Sequence, residues 1–455
     1  MRKQTIFLAS FFALLFLASC NLLIGQTSPN NNEINEPVTP LAEEEVEPQP
    51  GEPSLEENLE PTDTPESVQP PAQEEPQLPP APVQEYIYPQ NVIAPLSAGS
   101  DITISYIEMI DTPNGWAVGG TDFEGDHILR TGDGGLTWQD VTPAEVPASG
   151  DVAGKSAVAF FQDSQIAWVI YYNLGGASIP VQPVVWSTND GGANWTPSAV
   201  LNVSMASFFS PVALWFDASA VGWLLVEVDA GMSKSYAFLY QSLDGGYLWE
   251  AIASPTIVPA EGSDGIQSCG KSELIFADIL NGWMLRECPG LYSFNFVDKT
   301  TDGGSSWNMI ELPPVPDAEV ASNGFCTPFD LNVFSADSLK VSLHCQDFSS
   351  DEPEDFYYLY STSDGGVQWN VFELPAMDAS FLNETIGWSL GRDMYQTNDG
   401  GATWELVKTV IWDGQFSLVD ANNWWAVARD GDNIELVYSS DGGKTWQIIE
   451  PVIGK

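Results

Sequence analysis

Seven times between residues 131 and 446 this chain repeats nearly the same phrase, Asp-Gly-Gly-x-x-Trp. The copies start at Asp133, Asp190, Asp244, Asp302, Asp364, Asp399 and Asp441, at intervals of 57, 54, 58, 62, 35 and 42 residues. A fixed phrase at such spacing marks one supersecondary unit used repeatedly, each copy burying its apolar faces against its neighbours. A second phrase runs ahead of each box. It reads Phe-x-Asp-x-x-x-Gly-Trp at its clearest, from Phe276 to Trp283, with other copies at Asp111 to Trp116, Phe161 to Trp168, Phe216 to Trp223, Phe381 to Trp388 and Leu418 to Trp425. The fifth unit keeps Phe334 but places Val341 where the Trp is expected.

Between the landmarks lie segments of four to nine residues, rich in β-branched and aromatic side chains and bounded by Gly, Asn, Asp and Pro, which read as strands. In the first unit they are Ile102 to Ile110, Trp116 to Gly119, His127 to Arg130 and Thr137 to Val141, so four strands per unit are predicted. Asn-Gly and Asp-Gly at the landmarks are the turn signals that join antiparallel neighbours. No amphipathic helical periodicity stands out beyond the N-terminus. Seven such units predict an all-β chain whose residues 86–455 form a seven-bladed β-propeller of four-stranded antiparallel blades, because radial closure protects sheet edges. Two closures are compatible with the pattern: Thr445 to Val452 as the outer strand of unit seven without strand exchange, or Tyr86 to Ala94 added to the last blade.

Seven boxed carboxylates invite a catalytic or calcium-binding reading, but a catalytic residue has no reason to occur seven times. An Asp at a turn accepts hydrogen bonds from backbone amides, the glycines supply positive φ and the Trp packs, so the boxes are expected to be structural. His127 and His344 fall in different units, and His344 beside Cys345 is not a ligand set, so no metal or other cofactor is expected. The acidic runs Asp351 to Asp355 and Asp430 to Asp432 read as solvated loops. Neither a phosphate-binding loop nor a nucleophile elbow is present.

Residues 1–20 carry Arg2 and Lys3, an apolar run from Ile6 to Ala18, and end in Leu17-Ala18-Ser19-Cys20. A basic start, a short apolar stretch and small exit residues describe an export signal. The ending resembles the bacterial lipobox, which implies acylation of Cys20 and anchorage of an exported lipoprotein to the outer face of the cell membrane or envelope. Residues 21–85 are mostly Pro, Glu, Gln, Asn and Ser with no Lys or Arg, the composition of a disordered, extended, self-repelling stalk. The formal net charge of the chain is −49. Such an acidic surface repels nucleic acid, which is excluded as a partner.

Beyond Cys20 the cysteines are Cys269, Cys288, Cys326 and Cys345, with equal separations of 19 in the two adjacent pairs. In an oxidising compartment this points to disulfides. Three pairings are possible. The repeat supports Cys269 with Cys288 and Cys326 with Cys345, each pair flanking the first two strands of its unit.

The run Ser439-Ser440-Asp441-Gly442-Gly443-Lys444-Thr445-Trp446 resembles the Asp-box, or bacterial neuraminidase repeat. Joined to Gly115-Trp116-Ala117-Val118-Gly119, it is similar to the photosystem II assembly-factor type of propeller and its bacterial relatives, over roughly residues 100 to 455. The resemblance implies the fold; for function it spans sialidases, xyloglucan hydrolases, sorting receptors and assembly factors. Sialidases resemble the chain in the boxes alone. Their carboxylate-binding arginines make Arg286, Arg392 and Arg429 candidates here, since each follows a landmark Trp by three or four residues. Assembly factors present a basic patch to their client, whereas this domain is acidic, so a different exported client is implied. Of 17 Trp, four lie outside the landmarks: Trp186, Trp215, Trp412 and Trp424, the candidates for stacking on a glycan. The expected function is non-catalytic binding or assembly of a protein or glycan at the cell surface, with a cell-surface glycoside hydrolase as the alternative.

Overall fold

Alternation along each strand sends every second side chain into one of two neighbouring blades, and this is what builds the ring. The computed structural model describes residues 83–454 except 90–91, 122–124, 148–154, 174–179, 181, 205, 232–233, 256–265, 267–268, 288–294 and 350–352. The expected export signal with Cys20, the expected stalk up to residue 82 and Cys288 lie outside the described residues. Residues 79–455 form one compact unit.

Blade 1 holds β1 (Thr103–Met109), β2 (Gly115–Gly120), β3 (His127–Thr131) and β4 (Thr137–Asp140); blade 2 holds β5 (Lys155–Phe161), β6 (Ala167–Asn173), β7 (Val185–Thr188) and β8 (Thr196–Pro197). Blade 3 holds β9 (Ser210–Phe216), β10 (Gly222–Gly231), β11 (Lys234–Ser242) and β12 (Glu250–Ala253); blade 4 holds β13 (Gly270–Phe276), β14 (Gly282–Glu287), β15 (Phe296–Thr300) and β16 (Asn308–Glu311). Blade 5 is preceded by α1 (Ala318–Asn323) and holds β17 (Gly324–Val333), β18 (Leu339–Asp347), β19 (Glu354–Thr362) and β20 (Asn370–Glu373). Blade 6 holds β21 (Asp378–Phe381), β22 (Gly387–Leu390), β23 (Asp393–Thr397) and β24 (Glu405–Thr409). Blade 7 holds β25 (Asp413–Leu418), β26 (Trp424–Asp430), β27 (Asn433–Ser439) and β28 (Gln447–Ile449), and β29 (Val452–Ile453) follows it. Every blade is an antiparallel meander in sequence order. First strands of successive blades touch one another, β5 with β9, β9 with β13, β13 with β17, β17 with β21 and β25 with β1, so they surround the axis. The result is the predicted seven-bladed propeller.

One apolar cluster fills each blade interface, from that between blades 1 and 2 around Trp116 and Trp186 to that between blades 7 and 1 around Trp138 and Trp425. The two sequence landmarks turn out to be partners across these interfaces. The Phe ending a first strand stacks on the Trp of the preceding blade: Phe161 on Trp116 at 5.2 Å between ring centres, Phe216 on Trp168 at 3.7 Å and Phe276 on Trp223 at 3.9 Å. The Trp indole then donates to the first glycine carbonyl of the next blade's box, Trp168 to Gly245 and Trp223 to Gly303 at 2.8 Å, and Trp425 to Gly134 at 3.0 Å.

Four expectations need correction. In blade 5 the residue in the Trp position is Lys340, paired with Asn332 as Trp283 is with Ile275, and not Val341. Its Nζ donates to the Gly400 carbonyl at 2.9 Å and lies 4.9 Å from the centre of the Phe381 ring, replacing both contacts of an indole. Cys326 and Cys345 are bonded as expected but sit inside β17 and β18 as direct cross-strand partners, because both strands run beyond the usual length. Cys269, just before β13, is also disulfide-bonded. Residues 83–96 do not add to blade 7: Val200 N donates to Gln84 O, Ile93 N to Val146 O, and Tyr86 packs on Trp186 between blades 1 and 2. Blade 7 is completed by its own β28 without strand exchange, as one of the two expected closures has it, but the strand ends before Val452: the chain leaves blade 7 at Pro451 and β29 pairs in parallel with β4 of blade 1. Helix α1 has no amphipathic signature of its own and is started by Asp317, whose side chain accepts from Glu319 N and Val320 N.

Candidate binding face

All seven boxes join third to fourth strands, so they lie together on one face of the ring. In the last, Asp441 Oδ1 accepts from Ser439 Oγ and Thr445 N at 2.9 Å and Oδ2 from Thr445 Oγ1 at 2.7 Å, while Gly443 N donates to Ser439 Oγ at 2.9 Å. The same pattern recurs at Asp133, Asp190, Asp302, Asp364 and Asp399, and Asp244 lacks the side-chain bond because Leu248 stands at the fourth position. Hydrogen bonds from the Thr403 hydroxyl and amide hold the Asp399 carboxyl down at about 2. Gly401 shows why the second glycine is needed: its φ is +99°, and a Cβ there would meet Leu359 Cδ2 at 2.4 Å. These carboxylates are saturated by their own turns.

The opposite face carries the variation. Box turns contain five or seven residues, whereas connections from a fourth strand to the next blade range from three residues after Thr409 to sixteen after Ala253. Here the longest strands extend, β10 and β11 of blade 3 and β17, β18 and β19 of blade 5, the latter pinned by the Cys326–Cys345 bond. Beside them, between blades 4 and 5, lies a cleft of about 380 Å³ lined by Leu312, Pro313, Pro314, Val315, Phe325 and Thr327, with Arg286 in its floor and Glu311 at its rim. Phe325 is 42% exposed. Asp317, Glu319, Asp347 and Glu354 line a smaller adjoining hollow and make this side of the cleft acidic.

At the axis the seven first strands present residues at matching levels. Opposite the second position after the landmark Trp or Lys340 stand Tyr106, Val158, Ala213, Glu273, Asp330, Asp378 and Gln415. Opposite the landmark itself stand Glu108, Phe160, Trp215, Ile275, Asn332, Ser380 and Ser417. Bulges at Ser105, Val212, Ser272 and Phe329 set the aim of the residue that follows each. The axis is therefore two-sided, apolar and aromatic along blades 2 and 3, acidic and polar along blades 4 to 7 and 1.

These axial acids keep some solvent contact yet have protein on nearly every side. Burial pushes Asp330 up to about 8, with the Asp378 charge adding to the shift and Asn332 and Ser342 opposing it. Burial also raises Glu273, reinforced by Asp330 and Asp378 and opposed by the Leu331 amide, and raises Asp378. Glu108 is raised to about 7 by burial against the hydrogen bond it accepts from Tyr106. The sequence singles out none of these residues, although each upper-level position lies three residues before the landmark that closes its strand, as Glu273 does before Phe276.

The four candidate glycan-stacking tryptophans do not form a platform. Trp186 and Trp424 are buried in interface packing, at 2% and 0% exposure; Trp412 packs on Phe416 and Trp446, and Trp215 on Trp223 and Phe276. Nor do the three arginines converge. Buried Arg286 pairs with buried Asp298 through Nη2 to Oδ1 at 2.6 Å, Arg392 Nε binds Asp413 at 3.0 Å, and Arg429 Nη2 donates to Ser105 O at 3.1 Å. Arg286 and Arg429 each tie one strand to another, and Arg392 ties the β22–β23 turn to β25. Among the described residues no group of three His, Cys, Asp or Glu is placed to hold a metal ion.

No protein-family model matches the chain, and no curated protein matches it. Among solved structures, YCF48 from Cyanidioschyzon merolae is 16% identical over 76% of this chain and 97% of its own, with a TM-score of 0.45. YCF48 bound to D1 peptide is 15% identical over 80% and 99%, with a TM-score of 0.46. A puromycin-hydrolyzing peptidase of Mycobacterium tuberculosis is 10% identical over 82% of this chain and 57% of its own, with a TM-score of 0.50. At such identities the likeness concerns architecture, and the architecture is that of a seven-bladed β-propeller.

Proposed function

We propose that the propeller is a non-catalytic binding module for an extracytoplasmic protein, engaged through the cleft between blades 4 and 5. The observation that carries this reading is the cleft itself: an apolar wall of Leu312, Pro313, Pro314 and Val315 and an exposed Phe325 beside acidic residues, on the face that holds the unrepeated connections between blades. Such a lining suits an extended segment with apolar anchors and flanking basic residues. A protein is favoured over a glycan because the four candidate tryptophans are packed into the blades. The proposal includes the anchor: a lipid on Cys20 and the 21–85 stalk hold the propeller at the outer face of the membrane.

Pull-down from envelope extracts with wild type and Phe325→Asp tests the cleft. Wild type should retain a partner that the variant loses at least tenfold, with unchanged thermal stability; equal retention would exclude the cleft. For the anchor, Cys20→Ala should release the protein into the medium, and persistent membrane retention would exclude acylation at that residue.

A glycoside hydrolase remains the second reading because of the axial carboxyls, but that chemistry requires one protonated and one ionised group. Here Glu273, Asp330 and Asp378 are all raised together. Turnover of a glycan by wild type and its loss in Asp330→Asn would favour this reading over binding.

A further inference from the structure

On the box face the repeats act as controls for one another, and blades 3 and 4 depart from the rest. The residue before the box Asp is Gly132, Asn189, Thr301, Ser363, Asn398 or Ser440 in six blades and Leu243 in blade 3. The fourth residue after that Asp is Thr, Asn, Ser or Gln in the same six, and its side chain donates to the carboxylate, but in blade 3 it is Leu248. Asp244 therefore keeps Ser242 Oγ, Tyr247 N and Leu248 N on Oδ1 at 2.9 to 3.1 Å, while no donor among the described residues reaches Oδ2. In the turn from first to second strand, the two positions that are Thr, Pro, Ser, Gln, Ala, Asp, Glu or Asn in the other blades are Ile279 and Leu280 in blade 4.

These departures adjoin. A Cβ at Gly303, in the blade 4 box, would lie 3.0 Å from Ile279 O and 3.3 Å from Nε2 of Gln241, two residues before Leu243, and Gly303 N donates to Leu280 O at 2.9 Å. Leu243 is 75% exposed, and Tyr247, Leu248, Ile279 and Leu280 are exposed with it. Single exposed aliphatics such as Leu136 and Val367 in other boxes are ordinary; five large apolar side chains in two adjoining blades, placed where the repeat is mostly polar, mark a contact surface. The charge around them selects the occupant. Residues 217–221, 243–250, 277–281 and 301–306 hold five carboxylates, Asp217, Asp244, Glu250, Asp278 and Asp302, and no Lys, Arg or His. A second copy would set these acids against their own equivalents across a two-fold axis, and an anionic lipid surface would oppose them as well. A polypeptide that interleaves aliphatic anchors with Lys or Arg matches both the apolar centre and its acidic surround.

We propose that the blade 3 and 4 sector of the box face docks a cationic amphipathic segment of a partner protein. Leu243, Leu248, Ile279 and Leu280 receive its aliphatic side chains, and Asp244 Oδ2 receives one of its Lys or Arg side chains. The surface lies on the face opposite the cleft and does not depend on cleft binding.

Fluorescence anisotropy of a labelled peptide that repeats Leu-Lys-Lys-Leu-Leu-Lys-Leu twice, titrated with the intact protein at physiological salt, tests this. Saturable binding is expected, at least tenfold tighter than that of the same peptide with Ser for every Leu or Glu for every Lys. The double variants Leu243→Asn with Leu248→Thr, and Ile279→Ser with Leu280→Gln, carry residue types that other blades hold at these positions. Each should weaken binding at least tenfold, and the control Val367→Ser should leave it unchanged. Leu248→Thr alone restores the usual box hydrogen bond, so it should unfold no earlier than wild type while binding severalfold more weakly, which separates loss of the surface from loss of the fold. No saturable binding, equal binding of the Ser-substituted peptide, or unchanged binding in either double variant would overturn the proposal. Flotation with phosphatidylglycerol vesicles, or dimers in analytical ultracentrifugation, abolished by these same variants would overturn it too, in favour of lipid or of a second copy.

Discussion

Lys340 occupies a Trp position without disturbing the ring, which separates what that position needs from what usually fills it. It needs a donor for a glycine carbonyl of the next box and a partner for an aromatic ring, and an ammonium on a four-carbon stem supplies both. The arrangement has a cost in charge burial, since desolvation lowers Lys340 to about 8, opposed by the Glu384 charge. Below pH 8 that penalty is fully present; between about 8 and the ordinary lysine value near 10.4 the unfolded chain binds more protons than the folded one, so native stability rises with pH. Lys340→Met keeps the stem and abolishes this titration. Denaturant unfolding at pH 7.5 and pH 10 should therefore show wild type gaining on the variant by a few kcal/mol, about 1.4 per pKa unit, and a pH-independent difference would refute the account. The substitution was invisible in the sequence because alignment by Phe334 shifts the unit by one residue, and only the cross-strand register assigns Val333 and Lys340 to the landmark positions.

At the scale of elements, the box and the second strand are legible because they answer to local chemistry. Strands predicted at Ile102 to Ile110, Trp116 to Gly119, His127 to Arg130 and Thr137 to Val141 agree with β1 to β4 within one residue at most ends. The first strands carry a second layer of meaning that the repeat hides. One set of side chains is buried in an interface, as Leu274 and Phe276 are, and the alternate set faces the axis, as Glu273 and Ile275 do. The buried set recurs and reads as a pattern, while the axial set varies from Val158 to Asp330 and reads as noise. Bulges blur it further, since an extra residue at Ser272 or Phe329 breaks the period of two. Extra length in β17 to β19 follows the same logic: nothing in the alternation says where a hairpin stops, so the two cysteines were expected outside the strands they occupy.

For the whole molecule, closure rests on two residues of strand. β29 sits between the 99–102 segment and β4, with Gly99 N donating to Ile453 O at 2.8 Å, Ile453 N to Ser100 O at 3.0 Å and Gly454 N to Trp138 O at 2.7 Å, and Ile453 is buried at the interface of blades 7 and 1. Truncation after Glu450 removes this clasp while leaving every blade with four strands. Burial of Ile453 and the backbone bonds lost with it, Ile102 N to Pro451 O included, amount to roughly 3 to 5 kcal/mol, so for a unit of this size a fall in midpoint of about 4 to 6 °C is expected by calorimetry; an unchanged midpoint would show that blade packing alone closes the ring. What the sequence by itself determined is the repeating scaffold, seven blades and the structural use of every box, because turns, caps and strand alternation are set by residues within a few positions of one another. The tertiary structure alone decided the clasp, the rank of Lys340, the packing of the unassigned tryptophans and the placing of Glu273, Asp330 and Asp378 on neighbouring first strands, because those depend on strand register and on which faces meet between elements, which no local pattern states.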